Sequence, residues 1–337
     1  MASEFSESKM EGEIIIGAID AITKAYIRKN EVFADAFNYF MYDGAQVIQP
    51  EQLKELDPTE IAILFNENNT KEPQNAKKEI IQKYRDHLKL ATIKEDGESA
   101  YILLGVENQT DVNYTMPVRN MLYDALQYTR QVTMIADKHR AQKGKSEYGA
   151  SNRAEFISGF HKNDKLLPVI TLVLFFNADE WDGPRSLMDM MEITNPIIRR
   201  LVVDYPIYVI DPQSLKDSDF EKFHSSLREV MGCIKYSKDK RKLADFISNN
   251  PRMNMELTAA RVIEAINHVP IKIEEGVDRF DMCQAIEEMI EDGRKEERHR
   301  INQLNILLSE KNRTEDIVKA ALDKEYQEQL LKEFDIE

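Results

Sequence analysis

The sequence predicts an α/β fold, in which a mixed central sheet is flanked by helices and followed by an α-helical C-terminal region. Three observations predict it. Residues 100–106 (AYILLGV) and 167–176 (LPVITLVLFF) are near-continuous apolar runs of strand length, the pattern of strands covered on both faces. Between them, residues 116–135 repeat with helical spacing, and from Asp219 onward helical spacing dominates. A chain of 337 residues allows about two domains. They divide into a polar segment at 1–20, an α/β domain at 21–230 and a helical region at 231–337.

Taken in order, residues 15–42 read as helical, with Asn30 as the N-cap of a second segment. Val32, Phe33, Ala36, Phe37, Phe40 and Met41 form its buried face, Glu31, Asp35 and Asn38 lie on another face, and Asp43-Gly44 ends it. Residues 46–75 contain Pro50, Pro58 and Pro73 and read as loop, and residues 76–84 as a short helix. Residues 87–93 alternate like a strand, and Glu95-Asp96-Gly97-Glu98 turns that strand into the apolar run at 100–106. The helix at 116–135 has Pro117 in its first turn and Leu122, Ala125, Leu126 and Thr129 in its buried stripe. Residues 138–164 are polar and glycine-containing, and read as a long loop. After the strand at 167–176 come a turn at 177–184, a short helix starting at 186–191 and a short strand at 206–210. The charged stretch 281–337 reads as helices that form a bundle or pair two copies of the chain.

Composition narrows the function. The chain is 42% hydrophobic, enough for a real core. Cys233 and Cys283 are far apart and outside any CxxC motif, which fits a reducing, cytoplasmic setting, and the six histidines show no metal-ligand spacing. Residues 1–13 lack the features of a signal peptide, and the apolar run at 166–176 falls short of the roughly 20 residues that cross a bilayer, so no membrane is expected. No Walker glycine loop or GxSxG motif supports ATP binding or serine hydrolysis. The net charge of −15 means that DNA contact must come from a local basic patch. Lys138, Arg140, Lys143 and Lys145 are one candidate, and Lys235, Lys238, Lys240, Arg241 and Lys242 another; a solvated loop or helix face is the simpler reading of each.

The residues with chemical potential are Asp86, ahead of one strand, and Glu107-Asn108-Gln109, at the end of the next. Two carboxylates on neighbouring strands can converge on a hard divalent cation such as Mg²⁺, which activates water and offsets phosphoryl charge. Gln109 points to the same face as Glu107, because strand side chains alternate. Arg119, Tyr123 and Gln127 form a polar stripe at i, i+4 and i+8 on the following helix. Arg119 suits a phosphate, or is capped by Asp124 or Asp86. Trp181 reads as a packing residue or a base-stacking platform, and His87 points away from Asp86. If the carboxylates repel each other in the metal-free protein, Glu107→Gln is expected to melt at least as high as the wild type there.

LLGVENQTDVNYTMPVRNMLYDALQY, with Met116, Arg119 and Tyr123, resembles the recombination-promoting nuclease family, or YhgA-like transposases, of the PD-(D/E)XK superfamily. NEVFADAFNYF, KYRDHLK, LPVITLVLFFNADEW and GPRSL resemble further blocks of that family in the same order, over roughly residues 22–210. The resemblance implies a restriction-endonuclease-like core and Mg²⁺-dependent endonuclease activity on DNA, with Mn²⁺ able to substitute. It also implies a link to recombination or mobile elements. Asp86, Glu107 and Gln109 would be catalytic, with Asp86, Glu107 and a first-helix acid, Asp35, holding metal. Glu31 or Asn30 could occupy that last position instead. Arg119 and Arg85 would bind phosphate, supported by Tyr123. Gln109 stands where the superfamily pattern usually has lysine. A catalytically weak member that regulates by binding DNA or protein is the alternative, and a homodimer through the C-terminal helices is expected.

Overall fold

A computed structural model of the chain describes residues 17–56, 86–95, 98–141, 153–248, 250–267 and 277–336. The helix read at 76–84, Arg85, the turn residues 96–97, Lys143 and Lys145 lie outside them. The described residues form two compact units, one reaching to Phe246 and resuming at Glu256, the other made of Ile247–Met255 and the residues from 277 onward.

The first unit is built on a five-stranded mixed sheet. Its strands are β1 (Leu53–Glu55), β2 (His87–Glu95), β3 (Glu98–Gln109), β4 (Val169–Phe175) and β5 (Tyr208–Ile210), in that spatial order. β1, β2 and β3 pair antiparallel, whereas β3–β4 and β4–β5 are parallel. β3 is the central strand, as its apolar run predicts, and Leu104 and Val106 are fully buried. β1 falls in the stretch read as loop; three residues are too short to show alternation.

Helices cover both faces. α1 (residues 17–27) and α2 (Asn30–Tyr42) lie on the face that carries His87, Lys89 and Asn108. The His87 ring meets the Lys24 carbonyl oxygen at 2.9 Å, and the Lys89 ammonium donates to the Arg28 carbonyl and to Asn30 Oδ1, each at 2.6 Å. Asn30 is therefore the first residue of α2 and not its cap; Lys29 holds that position without a side-chain bond. α3 (Met116–Ala141) crosses the other face between β3 and β4. Tyr128 OH accepts from the Val169 amide at 3.1 Å, and Gln131 exchanges two hydrogen bonds with the Leu167 backbone.

Two helices bury polar faces. α2 is enclosed from Val32 through Asn38, whereas Phe40, read as buried, is 38% exposed. Its polar residues are enclosed because each holds a loop: Asn38 exchanges two hydrogen bonds with the Ile48 backbone, at 2.8 and 2.9 Å. Asp35 accepts from the His224 amide, the Ser225 amide and the Ser225 hydroxyl at 2.6–3.0 Å, fixing the turn before α6 (Leu227–Tyr236). On α3 the polar side faces the sheet, with Asn120, Tyr123, Asp124 and Gln127 buried. The stripe expected to be buried is reversed: Leu122, Ala125 and Thr129 are exposed and Leu126 is half-buried. The sheet beneath offers Glu107 and Thr171, and polar partners there outweigh the burial of a leucine.

Part of the segment read as loop, 138–164, is helical. α3 continues to Ala141, and α4 (Arg153–Ser158) follows. Past β4, Trp181 is a packing residue, 3% exposed and edge-on to Phe175 at 5.2 Å. Arg185 and Ile207 are joined by a backbone hydrogen bond of 2.8 Å, closing an excursion that carries α5 (Pro196–Leu201), which periodicity missed. α7 (Lys240–Ile247) follows α6, and α6 packs on α8 (Leu257–Asn267). Asp43 and Gly44 end α2 with positive φ values of 51° and 91°. A Cβ on Gly44 would lie 2.7 Å from the Lys222 carbonyl oxygen, so the position needs glycine.

The second unit contains α9 (Met282–Glu310), α10 (Thr314–Leu322) and α11 (Lys324–Glu333). Asp281 caps α9 by accepting from the Cys283 and Gln284 amides, and Asp323 caps α11. Leu304, Leu308, Ala320, Leu330, Leu331 and Ile336 form the unit's core, so these helices bundle within one chain.

Three donors, the His224 and Ser225 amides and the Ser225 hydroxyl, meet the Asp35 carboxylate and give it a structural role at the turn before α6. Asp35→Ala should lose about 3 kcal/mol of stability, read by urea unfolding, and the loss should be the same with and without Mg²⁺. A deficit seen only with Mg²⁺ would return Asp35 to the metal site.

Candidate active site

The register of β2 on β3 builds the site. His87 pairs with Val106 and Leu88 with Gly105, so Asp86, one residue ahead, lies opposite Glu107. Alternation puts Glu107 and Gln109 on the face covered by α3, and β4 extends that face with Thr171, Val173 and Phe175.

Asp86 completes the ladder where β2 begins. Its Oδ2 accepts from the Asn108 amide at 2.8 Å, in place of a backbone carbonyl. Its Oδ1 lies 3.0 Å from the Lys24 ammonium, which also bonds Asp20 at 2.7 Å. Burial works against the Lys24 charge, but Asp20 and Asp86 outweigh it, and the pKa is raised. Asn108 turns to the opposite face and donates to the Thr23 hydroxyl, which ties α1 to β3.

Glu107 has no exposed surface, and the Arg119 guanidinium lies 3.0 Å from its Oε2. Arg119 Nε donates to Tyr123 OH at 3.1 Å. Burial opposes the Arg119 charge, but Glu107, Tyr123 and Asp86 together outweigh it, so its pKa is raised. Burial, and then Glu107, raise the Tyr123 pKa as well. Asp86 acts on both groups, which places the two carboxylates in one electrostatic site. The carboxylate that holds Arg119 is thus Glu107, not Asp124 or Asp86. Asp124 instead accepts from Thr171 Oγ1 at 2.7 Å and from Tyr205 OH. Gln109 is half-buried, and its Nε2 donates to the Asn108 carbonyl at 2.8 Å.

Asp86, Glu107, Gln109, Arg119 and Tyr123 are therefore brought together. Asp35 is held at the His224–Ser225 turn, Glu31 is exposed in the first turn of α2, and Arg85 lies outside the described residues. Lys24 and Thr23 join the site without having been singled out. Their one sequence signal is the Asp20–Lys24 i,i+4 pair, which does not say what α1 packs against. Lys89 does not replace the missing lysine. It faces α1 and α2, where burial lowers its pKa to about 8.

Among the described residues the site offers two carboxylates, and the His87 ring faces the Lys24 carbonyl instead of them. Carboxylate oxygens are the kind of donor that Mg²⁺ or Mn²⁺ accepts. Lys24 provides the countercharge to Asp86, and Arg119 to Glu107. Of the two basic stretches, Lys235 turns inward to the Gln213 and Leu215 carbonyls and Lys238 pairs with Asp179. On α3, Arg140 pairs with Asp137.

No helix among the described residues is long and apolar enough to cross a membrane. No curated protein and no solved structure matches the chain. The model of the family described as "Putative transposase, YhgA-like" matches residues 51–264, more than half of the chain, and the chain belongs to that family.

Proposed function

We propose that the chain is a PD-(D/E)XK-type endonuclease that hydrolyses phosphodiester bonds in DNA with Mg²⁺ or Mn²⁺, in the service of a mobile element. The observation that carries the reading is the pairing of Asp86 and Glu107 on adjacent strand ends beneath Arg119. A mixed sheet between helices, and membership in a transposase family, support it. Asp86 and Glu107 would hold the ion, which supplies an activated water and offsets charge on the phosphoryl oxygens. Arg119 has a planar pair of donors that match a phosphate, and Tyr123 OH orients it. Gln109, on the Glu107 face, has an amide oxygen that can accept from the attacking water. Lys24 brings a positive charge to Asp86 from α1, the type of group that Gln109 lacks.

A second reading is favoured by one feature: each carboxylate already faces a cation of the protein, and the lysine position holds Gln109. On this reading the chain binds DNA or protein as a regulator. Exposed Ile306, Val318 and Leu322 on the second unit suit pairing of two copies under either reading.

Nicking of supercoiled plasmid separates the two. With Mg²⁺, the wild type should nick, Asp86→Ala should not, and Gln109→Ala should be slower by about 100-fold. Salt-dependent DNA binding with no nicking in Mg²⁺ or Mn²⁺ would establish the regulator. Nicking by Asp86→Ala at the wild-type rate would remove the site altogether.

Thermal melting tests the metal. Mg²⁺ should raise the wild-type Tm, because an ion bound only to the native state stabilises it, and Glu107→Gln should respond less. The buried Arg119 contact reverses the expectation drawn from carboxylate repulsion. Without metal, Glu107→Gln should melt at a lower temperature, having lost about 1–3 kcal/mol of stability with the charged partner of Arg119. Equal Mg²⁺ responses in the two proteins would refute a shared ion.

A further inference from the structure

We propose that His139, His161 and Asp164 form a site for a late first-row divalent cation, Zn²⁺ in the first instance, distinct from the Asp86–Glu107 pair. A ring nitrogen of each histidine and a carboxylate oxygen of Asp164 lie within 4.8 Å of one another. Bonds of about 2.0–2.2 Å to one ion bring such ligands to roughly 3.3 Å apart. His139 Nε2 already stands 2.9 Å from Asp164 Oδ2, and small side-chain rotations close the rest.

The local chain is built to hold these groups together. Gly159 ends α4 with a φ of +69°, and a Cβ there would meet the Ala136 Cβ of α3 at 2.8 Å. That close approach lays residues 160–164 over the last turns of α3, where His139 sits one turn beyond Ala136. The His161 amide donates to Asp164 Oδ2 at 2.6 Å, and the Asp164 amide donates to the His161 carbonyl at 3.0 Å. The Lys162 amide donates to Glu155 Oε1 at 3.0 Å, which ties the same loop to α4.

The arrangement gathers donors at one place. The imidazoles of His139 and His161 stack with centroids 3.7 Å apart and planes 20° from parallel, which sets a nitrogen of each ring beside the Asp164 carboxylate. His139 Nε2 faces Asp164, and the opposite ring nitrogen, Nδ1, is buried without a hydrogen-bond partner. Two imidazoles and one carboxylate favour Zn²⁺ over Mg²⁺, which prefers oxygen donors. An ion here would clip the loop after α4 to α3 just ahead of β4. His139 is twenty residues from Arg119 on the same helix, about 30 Å along its axis, so the two sites would not share an ion.

The experiment is a Zn²⁺ titration of the full-length, tag-free protein in saturating Mg²⁺, by calorimetry and competition with a chromophoric chelator. The variants are His161→Asn, Asp164→Asn and Glu107→Gln. Wild type and Glu107→Gln should bind one Zn²⁺ that Mg²⁺ does not displace, and His161→Asn and Asp164→Asn should bind at least about tenfold more weakly. Co²⁺ should give visible absorption bands with the wild type that His161→Asn lacks. Melting curves of the metal-free variants would check that each is folded. Equal Zn²⁺ affinity in wild type and His161→Asn would overturn the proposal, as would loss of the bound ion in Glu107→Gln. Absence of Zn²⁺ binding by the wild type would reduce the cluster to a hydrogen-bonded His–Asp pair. Plasmid nicking enters none of these readouts, so the proposal stands or fails apart from the nuclease reading.

Discussion

Glu107 lies on the central strand with no surface open to solvent, and its charge has to be met from within the protein. A buried carboxylate without a nearby countercharge would cost several kcal/mol. Arg119 meets it, and Arg119 is itself oriented by Tyr123. The contact sets the rotation of α3. Once Arg119 and Tyr123 face the sheet, helical spacing brings Asn120, Asp124 and Gln127 inward beside them. The leucine side of the helix turns outward as a result.

The same balance governs Asp86. Its two oxygens do different things: one closes the β2–β3 ladder by accepting from Asn108, and the other faces Lys24. The first is a matter of folding, because a strand end leaves a backbone donor that needs an acceptor. The second is electrostatic. Under the nuclease reading, Lys24 and Arg119 already provide the charge that a divalent ion would provide, so metal binding and the release of Arg119 toward a phosphate are linked. Lys235 and Lys238, which look like a basic patch in one dimension, are committed to carbonyls and to Asp179.

The buried polar positions of α2 follow one rule. Asp35 and Asn38 are buried because loops distant in sequence supply backbone donors and acceptors to them. A buried carboxylate or amide with all its partners is stable, and the same residue without them is not. The partners of Asp35 lie 189 and 190 residues away, and no local pattern announces them. The His139–His161–Asp164 cluster escaped notice for the same reason. Its spacing follows no motif, and it forms because Gly159 permits a close crossing of two segments.

By itself the sequence determined the alternation of elements: the apolar run that becomes β3, the second run that becomes β4, the helix between them and the helical end of the chain. It also placed Asp86 and Glu107 on neighbouring strand ends, because hairpin register and side-chain alternation are short-range properties. What it could not determine is which side of each helix is inside. Amphipathic spacing assumes that apolar groups go inward, and α3 breaks that assumption because the sheet beneath it carries a carboxylate and a hydroxyl. Nor could it pair Lys24 with Asp86 or Asp35 with Ser225, since such contacts depend on the packing of whole layers. Tertiary structure decided those, because a charge removed from water takes as partner whatever group the fold brings within about 3 Å.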